Sequence, residues 1–219
     1  MEDIQLKIVY EHGVDEIIEK KSRFIANVFP IKTEEEALAY LEQIRKKHYD
    51  ARHNCFAYVI GENHECKRSS DDGEPSGTAG HPMLEVILGE EVHDVLVVVT
   101  RYFGGTLLGT GGLVRAYSAA TKAGLAATTL IDRKKGQKIS IETDYNGIGK
   151  LQYIMNQCDV TELEAEYGEA VKVIALVPEE ECENFKREVI EASSGRAAME
   201  ELEPLYYANM KGKIETWTC

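Results

Sequence analysis

An apolar run followed at once by a glycine-rich segment is the feature that most constrains the fold. Val95–Val99, VLVVV, is apolar at every position, and a strand of this kind is covered on both faces of its sheet. Five glycines follow between Gly104 and Gly112, and the residues from about Leu113 to Ala127 predict a helix. The pattern therefore predicts a central strand, a glycine turn and a helix that packs on the sheet.

The residues before this strand predict more strands and a well-marked helix. Thr33 and Glu36 have capping-box spacing, which places a helix over TEEEALAYLEQIRKKH. Period-two patterns and flanking turn residues predict the remaining elements. These are strands in IQLKIVY, VDEIIEK, SRFIANVFPI, NCFAYVIG and ECKRSS, and a short helix in PMLEVILGE.

The element pattern restarts after Asp132–Lys138, a charged segment interrupted by Gly136. Beyond it the order is β-α-β-β-α-β, with final strand material that ends in KIETWT, which is the order of ferredoxin-like domains. We therefore predict an α+β protein of two domains, residues 1–132 and 137–219, with Asp132–Lys138 as a polar connection.

Composition narrows the class of protein. A hydrophobic content of 43% in 219 residues supports a sizeable core, and no apolar run approaches the length of a membrane span. The start, MEDIQLKIVY, lacks the layout of a secretory signal, so we expect a cytoplasmic protein without membrane contact. The five cysteines, Cys55, Cys66, Cys158, Cys182 and Cys219, form no CxxC pair, so we expect reduced thiols.

Three segments carry a family resemblance: HNCFAYVIG, SSDDGEPSGTAGHPML and VLVVVTRYFGGTLLGTGGLVRAY. They resemble the Impact family in its bacterial YigZ-type branch. The resemblance implies a first domain with the fold of the second domain of ribosomal protein S5, and a second domain similar to the last domain of elongation factor G. It also implies a role in translation, since the eukaryotic relatives regulate translation through protein contacts and the bacterial branch has been proposed to bind nucleic acid. It supplies no established catalytic residues.

The glycine turn is the first candidate site. Backbone N–H groups at the start of a helix attract anions, and arginines at the strand end and in the first helical turns can flank such a site. The alternative is that the glycines only allow a tight connection and close helix packing; the segment matches no dinucleotide or P-loop motif. The candidates for binding an anion or nucleic acid are Arg101, Gly104, Gly105, Gly109, Gly111, Gly112, Arg115 and Lys122.

The loop DDGEPSGTAGHP is the second candidate. Its carboxylates can hold a divalent cation, or they can form an acid-base or nucleophilic set with its hydroxyls and histidine. Turn chemistry is the favoured interpretation, because Asp-Gly and Pro-Ser-Gly sequences satisfy local backbone groups. The candidate residues are Asp71, Asp72, Glu74, Ser76, Thr78 and His81.

Metal or cofactor binding is not predicted. His53 with Cys55 and His64 with Cys66 have H-x-C spacing that a hairpin can bring together as a zinc site, but a cysteine in an apolar strand is more often a core residue. We therefore predict no metal, no disulfide and no cofactor.

Charge and aromatic residues bear on RNA binding. The net charge of −13 disfavours nonspecific binding to nucleic acid, and short basic clusters such as Lys20–Arg23, Arg45–His48 and Ala51–His53 are most simply solvated surface, although a local basic face is the alternative. Tyr102 and Phe103 should face opposite sides of a strand, with core positions favoured for both.

Two functions remain. The favoured one is a noncatalytic protein of translation that contacts RNA, the ribosome or a translation factor through its first domain. The alternative is an enzyme that uses the glycine turn to bind a nucleotide or another phosphorylated small molecule, an inference from fold analogy alone.

Overall fold

The computed structural model describes residues 6–210 and 212–218, which divide into two compact units. The first runs from Leu6 to Asp132 and the second begins at Arg133. Both combine helices with mainly antiparallel strands, which confirms the predicted α+β class. The domain limits at residues 132 and 137 stay a prediction.

Within the described residues, seven strands and three helices lie wholly in the first unit. In chain order they are β1 (Leu6–Glu11), β2 (Gly13–Glu19), β3 (Ser22–Pro30), α1 (Glu34–Lys47), β4 (His53–Ile60), β5 (Cys66–Ser70), α2 (Gly80–Gly89), β6 (Val92–His93), β7 (Val95–Tyr102) and α3 (Thr110–Ala126). The two-residue strand β6 pairs with β1 in parallel.

Strand β7 lies at the centre of a five-stranded antiparallel sheet with the order β2-β3-β7-β4-β5. Leu96 and Val98 contribute to a core with α1 on one face of the sheet. Val95, Val97 and Val99 contribute to a core with α2 and α3 on the other face. The predicted central, doubly covered strand is confirmed, because alternate side chains of β7 enter two separate cores.

The two predicted helices that flank this sheet differ in how they start. Thr33 caps α1 by accepting a hydrogen bond from the backbone N–H of Glu36, as predicted. Helix α3 starts at Thr110 rather than near Leu113, because the Gly109 carbonyl already accepts the first helical bond, from Leu113. Gly111 and Gly112 therefore lie in the first helical turn and not in the preceding loop.

The described part of the second unit contains five strands and two α-helices. They are β8 (Thr129–Thr143, whose first residues belong to the first unit), α4 (Ile148–Gln157), β9 (Thr161–Tyr167), β10 (Val171–Pro178), α5 (Cys182–Ser193), β11 (Ala198–Met210) and β12 (Lys213–Thr218). A single 3-10 turn, Glu179–Glu181, precedes α5. Strand order β12-β11-β8-β10-β9 contains the ferredoxin-like arrangement, with α4 and α5 packed on one face.

Two details of the second unit differ from the prediction. The fourth ferredoxin-like strand is β11, and KIETWT forms an additional strand, β12, paired with it. The units divide after Asp132, but the segment Asp132–Lys138 is part of β8 and not a loop, and Gly136 pairs there with Pro178 of β10 and with Leu205 of β11. Residues 134–137 pair with β11 and residues 136–138 pair with β10, and a Cβ at Gly136 would lie 2.7 Å from Leu176.

The chain just after β7 packs against the turn between β2 and β3. The N–H of Gly104 donates a hydrogen bond of 3.1 Å to the Ser22 hydroxyl. A Cβ at Gly104 would lie only 2.0 Å from the carbonyl carbon of Lys21. Glycine is required here because two backbones meet with no space for a side chain, and the glycine segment is thereby fixed beside the Lys20–Lys21 turn.

None of the helices in residues 6–210 and 212–218 is both long and apolar enough to cross a membrane.

Replacing Gly104 by alanine should lower the free energy of unfolding by about 1–3 kcal/mol, because the new methyl group would overlap backbone atoms that have no room to move. Gly89→Ala is the matched control, since a Cβ there has nothing within 4 Å. Urea denaturation of both variants measures the difference. Equal stabilities of the two variants would contradict the close approach at Gly104.

Candidate functional site

The two candidate loops meet at one end of the five-stranded sheet. Arg101, near the end of β7, pairs in register with His53 at the start of β4, and Tyr102 pairs with Arg23 at the start of β3. Strand β5 ends at Ser70, opposite Phe56 of β4, so the loop that follows it starts near the same end. Antiparallel pairing therefore gathers the glycine turn, the Asp71–Pro82 loop and the β2–β3 turn in one region.

A buried ion pair joins the two loops. Arg101 Nη1 lies 2.7 Å from Glu74 Oε1, with side-chain exposures of 7% and 4%. The Tyr117 hydroxyl of α3 donates to the same oxygen at 2.8 Å. Burial, reinforced by Cys55 and Glu74, raises the pKa of Tyr117, so this hydroxyl remains a donor. One carboxylate oxygen thus links the loop, the central strand and the helix.

The other acidic residues of the loop hold its backbone. Asp71 accepts hydrogen bonds from the N–H groups of Gly77, Ala79 and Gly80 at 2.8–2.9 Å, next to the start of α2. Partial burial opposes ionisation of Asp71, but these three donors outweigh it and lower its pKa. Asp72 accepts from the Asn54 N–H and pairs with Arg45. These contacts support turn chemistry rather than a cation site.

The hydroxyls and histidine of the loop do not come together as a reactive set. Ser76 is exposed, and the Thr78 hydroxyl donates to the Pro75 carbonyl at 2.6 Å. His81 lies on α2 and is 3.7 Å from Glu85. The acid-base or nucleophilic role considered for Ser76, Thr78 and His81 has no supporting contact in the described residues, because none of these side chains is bonded to another of the set.

The first turn of α3 retains the features of an anion site. No side chain caps the helix, and its first turn contains no acidic residue. The first N–H groups of a helix have no acceptor within it, so those of Thr110, Gly111 and Gly112 are available. A Cβ at Gly111 would lie 3.6 Å from Arg115 Nη1, which places this guanidinium beside the same turn.

Two of the cations predicted to bind an anion are not available at the first turn of α3. Arg101 is paired with Glu74, and its charge is compensated inside the protein. Lys122 is exposed on α3, but twelve residues of helix separate it from Thr110, about 18 Å at the usual rise per residue. The structure therefore groups Arg115 with the glycine turn and removes Lys122 from it.

The basic clusters of the first unit converge on the same sheet end. Lys20 and Lys21 form the β2–β3 turn, and Gly104 packs against it. The end of α1 is held there because His48 Nδ1 lies 3.0 Å from the Tyr102 hydroxyl. Within residues 6–210 and 212–218 five exposed cations of this region have no ion-pair partner, and we call them the basic end: Lys20, Lys21, Lys47, Arg52 and Arg115.

Acidic side chains in this region are mostly engaged. Glu16 pairs with Arg23 at 2.8 Å, and Glu42 pairs with Lys46 at 2.7 Å. Asp50 accepts a hydrogen bond from Tyr102 at 2.9 Å. Glu19, which precedes the Lys20–Lys21 turn, is exposed. The unpaired charge of the basic end is therefore predominantly positive, although the whole chain carries −13.

A surface pocket of about 570 Å³ opens beside the basic end. Arg101 and Tyr102 line it from β7, and Phe103 and Leu107 line it from the glycine segment. Phe103 is 54% exposed and Leu107 is 83% exposed. Sequence reasoning favoured a core position for Phe103, but β7 ends at Tyr102 and the next ring is left at the surface.

The proposed H-x-C pairs do not meet. Cys55 is fully buried, and its thiol donates to the Asp71 carbonyl at 3.0 Å. Cys66 begins β5 and pairs with Ile60, at the opposite end of β4 from Cys55. Its thiol donates a hydrogen bond to the Glu34 carboxylate. In the described part of the chain no group of three or more His, Cys, Asp or Glu side chains can hold a metal, and the four cysteines seen are free. Cys219 lies outside the described residues.

Family models match both units. A model of the Impact N-terminal domain matches residues 20–125, and a model of a domain of unknown function, DUF1949, matches residues 141–196. The basic end, the glycine turn and the Asp71–Pro82 loop all fall within the first match.

Several similar proteins match most of the chain. IMPACT family member YvyE of Bacillus subtilis is 41% identical over 198 residues, covering 90% of this chain and 91% of that protein. IMPACT family member YigZ of Escherichia coli is 36% identical, covering 83% and 89%. A crystal structure described as that of a hypothetical protein is 32% identical, covers 93% of this chain and 99% of its own, and superposes with a TM-score of 0.59.

Replacing Glu74 by glutamine should destabilise the protein by about 3 kcal/mol, because it leaves the buried Arg101 charge without its counter-charge. The double variant Glu74→Gln with Arg101→Met should recover part of this loss, since no buried charge remains. Thermal and urea unfolding provide both values. A loss below about 1 kcal/mol for the single variant would show that solvent already compensates Arg101.

Stability should fall above pH 9 because of Cys55. Burial raises the pKa of its thiol to about 12 in the folded protein, whereas the pKa of a free cysteine thiol is about 8.5. Between these values the unfolded chain binds fewer protons, so the free energy of unfolding falls by up to about 1.4 kcal/mol per pH unit. Cys55→Ser, whose hydroxyl does not titrate here, should show a shallower slope from pH 9 to 10.5. Parallel slopes for the two proteins would contradict this.

Proposed function

The chain belongs to the IMPACT family, and we propose that it is a noncatalytic cytoplasmic protein of translation that contacts RNA, the ribosome or a translation factor through its first unit. The family resemblance supports the link to translation. The basic end supports the kind of contact, and it is the observation that carries this proposal.

Unpaired cations are the groups that RNA phosphates bind. The basic end is drawn from four places in the chain. Strand register brings the β2–β3 turn and the residue before β4 to the same end of the sheet. The contact of His48 with Tyr102 holds the end of α1 there, and Arg115 lies beside the glycine turn. Each cation of the basic end is exposed and has no ion-pair partner in the described residues, so RNA binding would break no internal pair. Release of counterions from the phosphates then supplies the free energy of binding.

The first turn of α3 adds directional donors to this charge. Its free N–H groups and the Arg115 guanidinium lie together, so a phosphate held by the backbone would also receive a charge-assisted bond from Arg115. Gly111 has no packing partner that a Cβ would strike, and nothing in the described structure requires glycine there. Its small size leaves the backbone open to a ligand.

Arg52→Ala and Arg115→Ala should each weaken RNA binding by roughly three- to tenfold and lower the salt slope by about one, because each change removes one phosphate contact. Lys122→Ala is the matched control: it removes the same charge from the same helix as Arg115→Ala, but far from the glycine turn. Fluorescence anisotropy with labelled RNA and cosedimentation with ribosomes, across a salt series, measure these effects.

Three results would decide against the proposal. Absence of binding to RNA, ribosomes and translation factors would reject it outright. Equal weakening by Lys122→Ala would show that total charge, not the basic end, drives binding. Thermal stabilisation by one nucleotide in preference to others, together with substrate turnover, would instead support the alternative of an enzyme that uses the glycine turn.

A further inference from the structure

Phe103 is an exposed aromatic ring on a rigid support. The Arg101 guanidinium carbon lies 5.7 Å from the centre of the Phe103 ring and 5.4 Å from the centre of the buried Phe24 ring. Arg101 itself is fixed by its bond to Glu74. The ring is therefore supported from inside the protein while 54% of the residue remains exposed. A ring held in this way loses little conformational freedom when another flat group stacks on it.

Arg101 has unused hydrogen-bonding capacity where it lines the pocket. Only its Nη1 has an acceptor, and its Nε is buried with no hydrogen-bond partner among the described residues. The residue is 7% exposed and borders the 570 Å³ pocket together with Phe103. The buried Nε is closed to a ligand, so the N–H groups of Nη2, which have no acceptor in the described residues, are those left to donate to one.

Asp50 also lines the pocket, and its carboxylate accepts a hydrogen bond from the Tyr102 hydroxyl but has no ion-pair partner in the described residues. The other walls suit a nucleotide. Leu107 offers an apolar surface, and Arg52 belongs to the unpaired cations of the basic end. His53 Nδ1 lies 2.9 Å from the Asp72 carbonyl, which orients the imidazole at the edge of the pocket. An aromatic ring, an apolar wall, N–H donors and a nearby phosphate-binding cation are the groups with which proteins hold an unstacked base.

We propose that this pocket holds one unstacked base of single-stranded RNA, stacked on Phe103, while the cations of the basic end bind the flanking phosphates. The proposal rests on the proposed function and adds its substrate class. Duplex RNA fits poorly, because its bases are already stacked and paired and cannot reach Phe103. The unpaired positive charge favours RNA over an apolar protein segment, for which Phe103 and Leu107 alone would suffice.

The test compares one unstructured RNA of twelve nucleotides with the same strand in a duplex. For the full chain, the single strand should bind at least tenfold more tightly at equal salt. Phe103→Leu should lose about tenfold for the single strand and almost nothing for the duplex, since only stacking is removed. Tyr153→Leu, at an exposed aromatic position on α4 of the second unit, is the matched control and should change neither.

A tryptophan variant supplies a direct readout. Phe103→Trp should retain single-strand affinity, and its additional emission, relative to the parent protein with its one tryptophan, should be quenched by the stacked base. Circular dichroism confirms that each variant is folded. Quenching by the single strand but not by the duplex is the expected result.

The possible results distinguish failure of the base pocket from failure of the proposed function. If the protein binds both RNA forms equally, or if Phe103→Leu weakens both to the same extent, the base pocket is wrong and the basic end remains an RNA site. If RNA does not bind but Phe103→Leu abolishes ribosome cosedimentation, the pocket is a protein-docking site and the proposal is overturned. If neither RNA, ribosome nor translation factor binds, the proposed function fails as well.

Discussion

The buried ion pair between Glu74 and Arg101 is the contact on which the organisation of this sheet end depends. Glu74 comes from the loop after β5, Arg101 from the central strand, and Tyr117 from α3, yet all three meet at one carboxylate oxygen. Burying two charges is costly unless their geometry is held and further hydrogen bonds are made; Tyr117 supplies one to Glu74, whereas the Arg101 Nε has none in the described residues. The pair therefore fixes the loop and, through the contact of Arg101 with Phe103, the aromatic ring at the surface.

Sequence patterns predict this fold best where the structure of a segment depends on residues within that segment. The run VLVVV predicts a doubly covered strand, and Thr33 with Glu36 predicts a helix start. Both predictions hold because the burial pattern and the helix cap depend only on residues that are neighbours in the sequence. The start of β8 is different. Asp132–Lys138 has the composition of a connection, but hydrogen bonds to β10 and β11 hold it as strand. Long-range pairing overrides local preference there, and one sequence does not reveal the partners.

The candidate site was likewise predictable only in part. Its two loops are visible in the sequence, since glycine and turn residues are concentrated in them. What the sequence does not show is the register that places His53 beside Arg101 and Arg23 beside Tyr102, and thereby joins separate basic clusters into one surface. Helix length likewise removes Lys122 from the site, and the end of β7 at Tyr102 exposes Phe103. These placements depend on strand pairing and on element ends, which residue composition does not determine.

Because the chain is acidic, RNA binding would depend on local contacts. With a net charge of −13, the protein repels a polyanion at long range, and only cations free of internal partners can hold RNA against that repulsion. At physiological salt the Debye length is about 8 Å, so distant acidic residues are largely screened once a phosphate has reached the basic end. In the proposed complex, affinity would then depend on contacts within a few ångströms, such as those of Arg52 and Arg115 and the stacking on Phe103. An acidic body with one basic end therefore disfavours nonspecific association with nucleic acid while leaving a shaped site available.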